Sequence, residues 1–344
     1  MAILSDNFDC RSFLEGETAA HGLAAAAFMA LTPARLDELR RRLAAIHFPP
    51  ELSEYLKKSE AMRRDPAMAF PWAGSILMAA VPFSILPDLS PPLPRAKSPD
   101  TAGVIAGYAA RTDYHLYGKM LMTELLANLE QATDKMFKVE ICIDTKPLLE
   151  RALAEAAGLG RVGRNSCILC AGSGSSCFII SAMLDLDLPD VTVKDTAPLC
   201  HSCGQCAKQC PNQVIGATPA DFKVNRCISS LTMEKRGLLT DEAMHLLGSN
   251  IFGCSVCTAA CPEGSLPEDF PLDLEWLLLA PSGEVRRTIS GTPVEYAGVT
   301  LLRRNALIVL GNKNSEVSCN LIKEFLKKTN SQLLIDTAQR LLAR

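Results

Sequence analysis

The sequence predicts an α+β protein in three parts, and three observations support this prediction. Apolar segments of strand length alternate with helical segments up to about residue 193. A spaced array of cysteines then occupies residues 194–265. The end of the 344-residue chain is rich in leucine at helical spacing. We therefore expect an α/β domain over residues 1–193, a cysteine-rich domain over 194–265 and a helical cap over 266–344.

The first part begins with a well-marked helix and a strand. Thr32 and Pro33 predict a helix start, since threonine is a favoured N-cap and proline suits the first helical position. The nearly all-apolar run Ser75–Pro82 predicts a buried strand. A long helix is expected over residues 113–131.

The rest of the first part continues this alternation. Residues 139–143 predict a strand, and residues 147–157 predict a helix that ends at Gly158. Apolar runs on both sides of residues 172–175, which read Gly-Ser-Gly-Ser, predict a hairpin.

Eight of the fourteen cysteines form the array, with the spacing C-x2-C-x2-C-x3-C-P, then one cysteine, then C-x2-C-x3-C-P. This is the bacterial ferredoxin pattern for two [4Fe–4S] clusters, in which the cysteine before proline ligates the other cluster. The first cluster is therefore expected to be held by Cys200, Cys203, Cys206 and Cys261. The second is expected to be held by Cys210, Cys227, Cys254 and Cys257.

Two other interpretations of these cysteines are a disulfide framework and a pair of zinc sites. Disulfides are disfavoured because nothing marks the chain as secreted, and zinc sites rarely need the trailing Cys-Pro. Compared with the simple pattern, 26 residues separate Cys227 from Cys254. Thr240 predicts a capped helix start within this insertion, which we expect to form a helical hairpin.

Charge and hydropathy exclude some classes of protein. The net charge is −3, but the segment from residue 301 onward contains eight Lys or Arg and only three acidic residues. Such a basic end is compatible with a polyanionic partner or simply with a solvated helical surface. No stretch approaches the roughly 20 apolar residues that span a bilayer, so no membrane is expected. Many cysteines without a visible leader predict a reducing cytoplasm.

A series of short segments accompanies the array in a fixed order. They are Arg64-Asp65-Pro66, Tyr108, Asp113-Tyr114-His115, Ile143-Asp144-Thr145, Glu150-Arg151, Gly158-Leu159-Gly160, Gly163-Arg164-Asn165, Arg226-Cys227-Ile228-Ser229, Asn250-Ile251-Phe252-Gly253-Cys254, Arg304-Asn305-Ala306 and Gly311-Asn312. With the array, these segments resemble epoxyqueuosine reductase, the cobalamin- and iron–sulfur-dependent family of queuosine biosynthesis. The resemblance covers nearly the whole chain, and its most specific part is the Ile-Asp-Thr segment with the ordered set around it.

The resemblance implies a base-off cobalamin held between the first domain and the ferredoxin-like cluster domain, with one cluster close to cobalt. It implies a tRNA substrate whose wobble nucleoside is epoxyqueuosine, reduced to queuosine by two electrons and two protons. The cap then looks like a HEAT-like helical repeat that contacts tRNA. An electron donor such as ferredoxin or flavodoxin and a monomeric state complete the expectation.

The resemblance also assigns site residues. It makes Asp144 the proton donor, which requires an apolar site that raises the pKa of its carboxyl. The alternative is that Asp144 caps the helix expected from residue 147. Tyr114 and His115 are expected beside the corrin, without a histidine–cobalt bond. Further cobalamin contacts are expected at Arg64, Asn165, Ser229 and Arg236.

Other functions remain open at this point. One is a dicluster electron carrier that binds no cobalamin, and another is a cobalamin-dependent reductase of a different substrate. If tRNA is the substrate, the cap offers basic candidates for phosphate contact. These are Arg303, Arg304, Lys327 and Lys328.

Overall fold

The structure is a computed structural model that describes residues 8–46, 57–194, 200–262 and 266–344. The helices in these ranges are α1 (Cys10–His21), α2 (Pro33–Ala44), α3 (Glu60–Arg64), α4 (Pro66–Ala69), α5 (Tyr114–Thr133), α6 (Glu150–Ala156), α7 (Gln205–Gln209), α8 (Asp241–Leu246), α9 (Val256–Ala259), α10 (Leu274–Leu279), α11 (Ser282–Ile289), α12 (Gly298–Lys313), α13 (Glu316–Leu326) and α14 (Gln332–Leu342). The strands are β1 (Ala25–Ala30), β2 (Ser75–Pro82), β3 (Ala102–Ile105), β4 (Val139–Cys142), β5 (Arg161–Val162), β6 (Ile168–Leu169), β7 (Cys177–Leu184), β8 (Val191–Lys194), β9 (Asn250–Phe252) and β10 (Phe270–Asp273). Within these ranges, no helix combines the length and apolar character needed to cross a membrane.

A five-stranded sheet organises the first part of the chain. Its order is β4-β7-β2-β1-β8, and every neighbouring pair is antiparallel. Leu14 of α1 and Leu121 of α5 pack on one face, and Leu39 of α2 and Leu153 of α6 pack on the other. The α+β class is thus confirmed, and the antiparallel pairing of this sheet differs from the parallel pairing typical of α/β domains. Continuous apolar strands arise here because helices cover both faces.

Where a helix has a capping residue, the sequence predicted its first residue correctly. The Thr32 hydroxyl accepts a hydrogen bond from the Arg35 amide at 3.3 Å, and Pro33 is the first residue of α2. Strand β2 has the expected bounds. The helix expected from residue 147 begins instead at Glu150, and Leu149 before it makes no side-chain cap. Without a cap, the sequence pattern did not mark the boundary.

The hairpin expected around residues 172–175 is only a local turn. Cys170 and Gly174 form an isolated antiparallel bridge. Beyond the bridge the two apolar runs separate, since β6 pairs with the short β5 while β7 pairs with β2 and β4. The eight-residue β7 therefore finds its partners in distant parts of the sequence rather than across the turn.

A second sheet joins strands from all three parts of the chain. Strand β3 lies between β10 and β9, and this sheet packs against the C-terminal helices in one apolar core. Strand β9 belongs to the insertion between Cys227 and Cys254, so the expectation of a helical hairpin there is only partly right. The Thr240 hydroxyl does cap α8, accepting from the Ala243 amide at 3.2 Å.

Two arginines expected to contact phosphate are structural. Arg304 is fully buried and donates to the carbonyl oxygens of Leu231 and Gly237 at 3.1 and 2.9 Å. Arg303 is partly buried and donates to the Leu277 carbonyl oxygen at 2.9 Å. The expectation for Arg303 and Arg304 is therefore wrong, because backbone carbonyls inside the fold already use their donors. Lys327 is exposed and remains a candidate.

Candidate active site and cluster cysteines

The N-terminus of α5 carries a hydrogen-bonded acid–imidazole pair. Asp113 caps the helix through the His115 amide at 2.8 Å, and the same carboxyl oxygen lies 2.8 Å from His115 Nδ1. Burial alone would lower the pKa of His115, but the hydrogen bond and charge of Asp113 raise it above its usual value. The Tyr114 ring stacks on the imidazole, with 4.0 Å between ring centroids. The hydrogen bond to Asp113 and the stacking on Tyr114 thereby fix the orientation of the His115 ring.

Asp144 follows β4 and faces this pair. The Tyr114 hydroxyl donates to Asp144 Oδ2 at 3.3 Å. Asp144 is exposed, so the expectation of an apolar site around its carboxyl is wrong. The capping alternative is wrong as well, because α6 begins only at Glu150. Asp144 instead lies just beyond β4 at the surface, where it meets Tyr114.

Glu150 is a partly buried acid of this site, and no role was predicted for it. The Asp144 backbone N–H donates to both carboxyl oxygens of Glu150, at 3.0 Å each. Burial raises the pKa of Glu150 to about 7, and the charge of Asp144 adds to this rise. Glu150 is therefore the acid of this site whose pKa is raised towards neutrality. In the sequence, the only indication of this role was that Glu150 lies six residues after Asp144, at the start of a helix.

An aromatic group connects Asp144 with the cysteines. Phe83 lies 5.1 Å from Tyr108 and 6.4 Å from Tyr114, measured between ring centroids. Burial raises the pKa of the Tyr108 hydroxyl, and the negative charges of Cys254 and Asp144 raise it further. Both groups therefore lie within electrostatic range of one tyrosine. Tyr108 stood in a segment that carried the family resemblance, but its position between the two groups depends on the fold.

The four cysteines expected on the first cluster line one cavity. Its other lining residues include Arg164 and Asn165. Burial raises the pKa of the Cys206 thiol, and the thiols of Cys200 and Cys203 add to this rise. The cavity cysteines are Cys200, Cys203, Cys206 and Cys261. The structure thus gathers the residues that the spacing assigned together, although they are up to 61 positions apart along the chain.

The four cysteines expected on the second cluster also lie close together. Burial raises the pKa of the Cys254 thiol to about 11, and the charges of Cys227 and Cys210 contribute. Burial likewise raises the pKa of Cys257, with a contribution from Cys254. The Val214 amide donates to Cys210 Sγ at 3.4 Å. This set is therefore a compact group of thiols.

The donor sets fit iron–sulfur clusters rather than single ions. A [4Fe–4S] cube takes one thiolate on each iron, so four ligands surround the cube and do not converge on one atom. In the described ranges, no three His, Cys, Asp or Glu side chains are placed to hold one metal ion. Thiols that share a pocket are suited to a metal that binds the thiolate form.

The surface beside Tyr114 and His115 fits a large planar cofactor. Leu116 and Met120 follow on α5 at helical spacing, and each is 58% exposed. Exposed apolar side chains next to a stacked aromatic pair are typical of ligand surfaces. These features are compatible with cobalamin.

The other residues expected to contact cobalamin lie on separate elements. Arg64 donates to the Ile46 carbonyl oxygen at 3.0 Å and forms an ion pair with Glu60. Arg236 lies over the Tyr296 ring, 5.3 Å from its centroid.

The last two expected contacts lie beside cysteines. Asn165 lines the first cysteine cavity, and its side chain donates to Ser175 at 3.2 Å. Ser229 contacts Cys227 through a side-chain hydrogen bond. The assignment of all four residues to cobalamin stays a prediction.

Cys167 is an additional thiol near the second set. It lies outside the array, on the turn before β6, and burial raises its pKa. Its thiol hydrogen-bonds to Thr258 and interacts electrostatically with Cys257. The sequence offered no signal for this contact, because it joins two distant segments.

Comparison with known families agrees with these features. Residues 199–264 match the family model described as 4Fe-4S double cluster binding domain. Residues 63–145 match the family model described as Epoxyqueuosine reductase QueG. Between them, these matches include the cysteine array, the Tyr114–His115 pair and Asp144.

Solved structures share the fold along nearly the whole chain. A selenomethionine-labelled epoxyqueuosine reductase has a TM-score of 0.78 at 23% identity, covering 96% of this chain and 88% of its own. An epoxyqueuosine reductase with a tRNA-Tyr epoxyqueuosine-modified stem loop has a TM-score of 0.74 at 23% identity, with the same coverage. At this identity the likeness concerns the fold.

Curated relatives establish the family. An epoxyqueuosine reductase of Xanthomonas campestris is 35% identical over 222 residues, which cover 60% of this chain and 61% of that protein. The epoxyqueuosine reductase of Escherichia coli is 31% identical over 274 residues, which cover 75% of this chain and 70% of that protein. With this identity over more than two thirds of the Escherichia coli enzyme, the chain belongs to the epoxyqueuosine reductase family.

Proposed function

We propose that this protein reduces epoxyqueuosine to queuosine at the wobble position of tRNA. Membership of the family supports the reaction, and the double-cluster domain supports an iron–sulfur oxidoreductase. The related structure with an epoxyqueuosine-modified stem loop supports tRNA as the substrate. The reaction removes the epoxide oxygen as water and leaves an alkene, which consumes two electrons and two protons.

The reducing equivalents require cofactors that the donor sets are suited to hold. The two cysteine sets would hold one [4Fe–4S] cluster each and accept single electrons. Cobalamin, when bound, supplies a strongly reducing cobalt centre. Tyr114 and His115 would hold it on the apolar surface of α5. The further contacts in the proposal are Arg64, Asn165, Ser229 and Arg236.

Side chains of this protein would supply the protons that the reaction consumes. Asp144 is exposed and is the proposed donor to the departing oxygen. Tyr114 donates to the Asp144 carboxyl, and burial together with the Asp144 charge raises the pKa of Tyr114, so that it keeps its proton. The hydrogen bond and charge of Asp113 raise the pKa of His115, which stacks on Tyr114. A departing oxyanion therefore meets groups that carry protons.

One observation carries this proposal further than the others. The charges of Asp144 and of Cys254 both act on Tyr108. The Tyr108 hydroxyl also lies against Gly253, where a Cβ atom would be 3.1 Å from it. The proposed proton donor and a proposed cluster ligand thus flank the same side chain. An enzyme that delivers electrons and protons to one substrate bond needs this proximity.

Partners follow from the same proposal. The helical cap would contact tRNA as a HEAT-like repeat, with the exposed Lys327 and Lys328 as phosphate contacts. Such contacts make binding weaker at higher salt. A small donor such as ferredoxin or flavodoxin would supply electrons, and the enzyme would act as a cytoplasmic monomer.

Anaerobic reconstitution tests the proposed function. The purified protein is loaded with iron, sulfide and cobalamin, reduced, and incubated with tRNA that contains epoxyqueuosine. Nucleoside analysis should show conversion to queuosine, together with stoichiometric cobalamin uptake. Full cluster content without cobalamin uptake would instead favour an electron carrier. Cobalamin uptake with unchanged epoxyqueuosine would favour a reductase of another substrate.

A further inference from the structure

We infer that Glu150 is a positioning residue, which holds the Asp144 backbone so that the Asp144 carboxyl faces Tyr114. Glu150 reaches the loop through two hydrogen bonds, from one N–H to two carboxyl oxygens at 3.0 Å each. It stands at the start of α6, whereas Asp144 stands just beyond β4. The contact therefore closes the loop between a strand and a helix.

The backbone of Asp144 needs such support. Its φ is +55°, in the left-handed region that residues with a Cβ atom avoid. Asp144 and the following Thr145 are exposed, so apolar packing does not fix them. Ile143 before the turn and Leu148 after it are buried and anchor the two ends. Between these anchors, the hydrogen bonds to Glu150 offset the cost of the unusual backbone conformation.

The surroundings of Glu150 make this contact sensitive to pH. The charged and titratable groups that face it are Asp144, Arg151, His115 and Cys142. Burial raises the pKa of Glu150 to about 7. An ionised carboxylate accepts the Asp144 N–H more strongly than a protonated one. The loop is therefore held more firmly above pH 7 than below it.

A purely helical role for Glu150 would have different consequences. An acidic residue in a first helical turn stabilises the helix through the dipole wherever its oxygens point. Positioning requires the specific acceptor at Asp144. Glutamine at position 150 keeps a carbonyl acceptor but cannot ionise, whereas alanine removes the acceptor.

Hydrogen exchange at the Asp144 amide tests the inference directly. The reconstituted holoprotein is compared with Glu150→Gln and Glu150→Ala at pH 6 and pH 8, after correction for intrinsic exchange. In the wild type, protection should rise between these pH values. Glu150→Ala should lose at least about tenfold of the protection at pH 8. Glu150→Gln should retain most of it and show no rise.

A matched control lies on the same helix. Glu155 also accepts a backbone N–H, from Val162 at 2.9 Å, but does not contact Asp144. Glu155→Ala should leave Asp144 protection unchanged. Equal Asp144 protection in Glu150→Ala and the wild type would overturn the inference. If the alanine variant does not fold, the glutamine variant provides the test. A rise in Asp144 protection between pH 6 and pH 8 in Glu150→Gln that equals the rise in the wild type would also overturn the inference.

The consequence for turnover rests on the proposed function, but the exchange experiment does not, because it needs no substrate. In the tRNA assay, Glu150→Ala should lower kcat by roughly ten- to a hundredfold with little change in KM, since a misplaced donor affects the chemical step. Glu150→Gln should restore most of kcat. A loss confined to KM would contradict a positioning role.

Discussion

Arg304 donates to the side-chain oxygen of Asn305, from Nε at 3.0 Å and from Nη2 at 2.7 Å, and both side chains are fully buried. Asn305 in turn donates to the carbonyl oxygens of Thr232 and Ile251, at 2.9 and 2.8 Å. Arg304 binds the Leu231 carbonyl oxygen at 3.1 Å. These acceptors belong to the insertion between two cluster cysteines, so α12 fixes the backbone that places the second thiol set.

Replacing Arg304 should therefore affect both stability and cluster content. Arg304→Met is similar in length but removes the donors to the buried Leu231 carbonyl oxygen and the buried Asn305 side-chain oxygen. We expect a loss of at least about 2 kcal/mol in the free energy of unfolding. Denaturant titration of the anaerobic holoprotein, with iron analysis, measures both effects. Lys327→Met, at an exposed position, should change stability by less than about 0.5 kcal/mol. Equal stabilities in the two variants would contradict this account.

Cys261 provides a test of the cysteine assignment. It shares a cavity with Cys200, Cys203 and Cys206, while the other thiol set is separate. Cys261→Ser should therefore lose about half of the bound iron and leave one [4Fe–4S] signal in the EPR spectrum of the reduced protein. Cys319→Ser, at a partly buried cysteine of α13 outside the array, should retain all of the iron. Full iron content in Cys261→Ser would remove it from the ligand set.

The features predictable from the sequence were those coded by neighbouring residues. The helix cap at Thr32 and the apolar strand β2 depend on local chemistry, and both were confirmed. Strand β1 was not predicted, because Ala25–Ala30 has little β-branched character and gains its structure from pairing with β2 and β8. The short strand β3 likewise depends on partners from distant segments. Pairing over such distances leaves no local pattern.

The site shows the same division between local and tertiary information. The resemblance pointed to Asp144, and its neighbour Tyr114 was named as well. The raised pKa of Glu150 depends on burial under the loop, which no spacing reveals. The burial of Arg304 was also unpredictable, since two adjacent arginines on a helix normally indicate solvent. The pKa of Glu150 and the burial of Arg304 both depend on the folded structure, so the sequence alone did not predict them.

The pKa of Glu150 predicts a pH dependence of stability. Its folded value is about 7, against a usual value of 4.5, so the folded state binds more protons than the unfolded state between these values. The resulting stabilisation is full below pH 4.5 and is lost as the pH rises through 7. Relative to Glu150→Gln, the wild type should therefore lose up to about 3 kcal/mol between pH 4.5 and pH 8. Urea titrations across this range measure the difference, and parallel profiles would show that Glu150 titrates at its ordinary pKa.

Asp144→Asn separates proton donation from the other roles of this residue. Asparagine retains the backbone N–H to Glu150 and an oxygen that can accept from Tyr114, so iron content and cobalamin uptake should match the wild type. Turnover on epoxyqueuosine-containing tRNA should fall by about 10²- to 10⁴-fold, the range typical of a lost general acid. Tyr114→Phe keeps the Asp144 carboxyl and removes only the hydroxyl that donates to it. Its turnover should therefore fall by less. Near-normal turnover of Asp144→Asn with both cofactors bound would mean that another group delivers the proton, and the imidazolium of His115 would then be the next residue to replace.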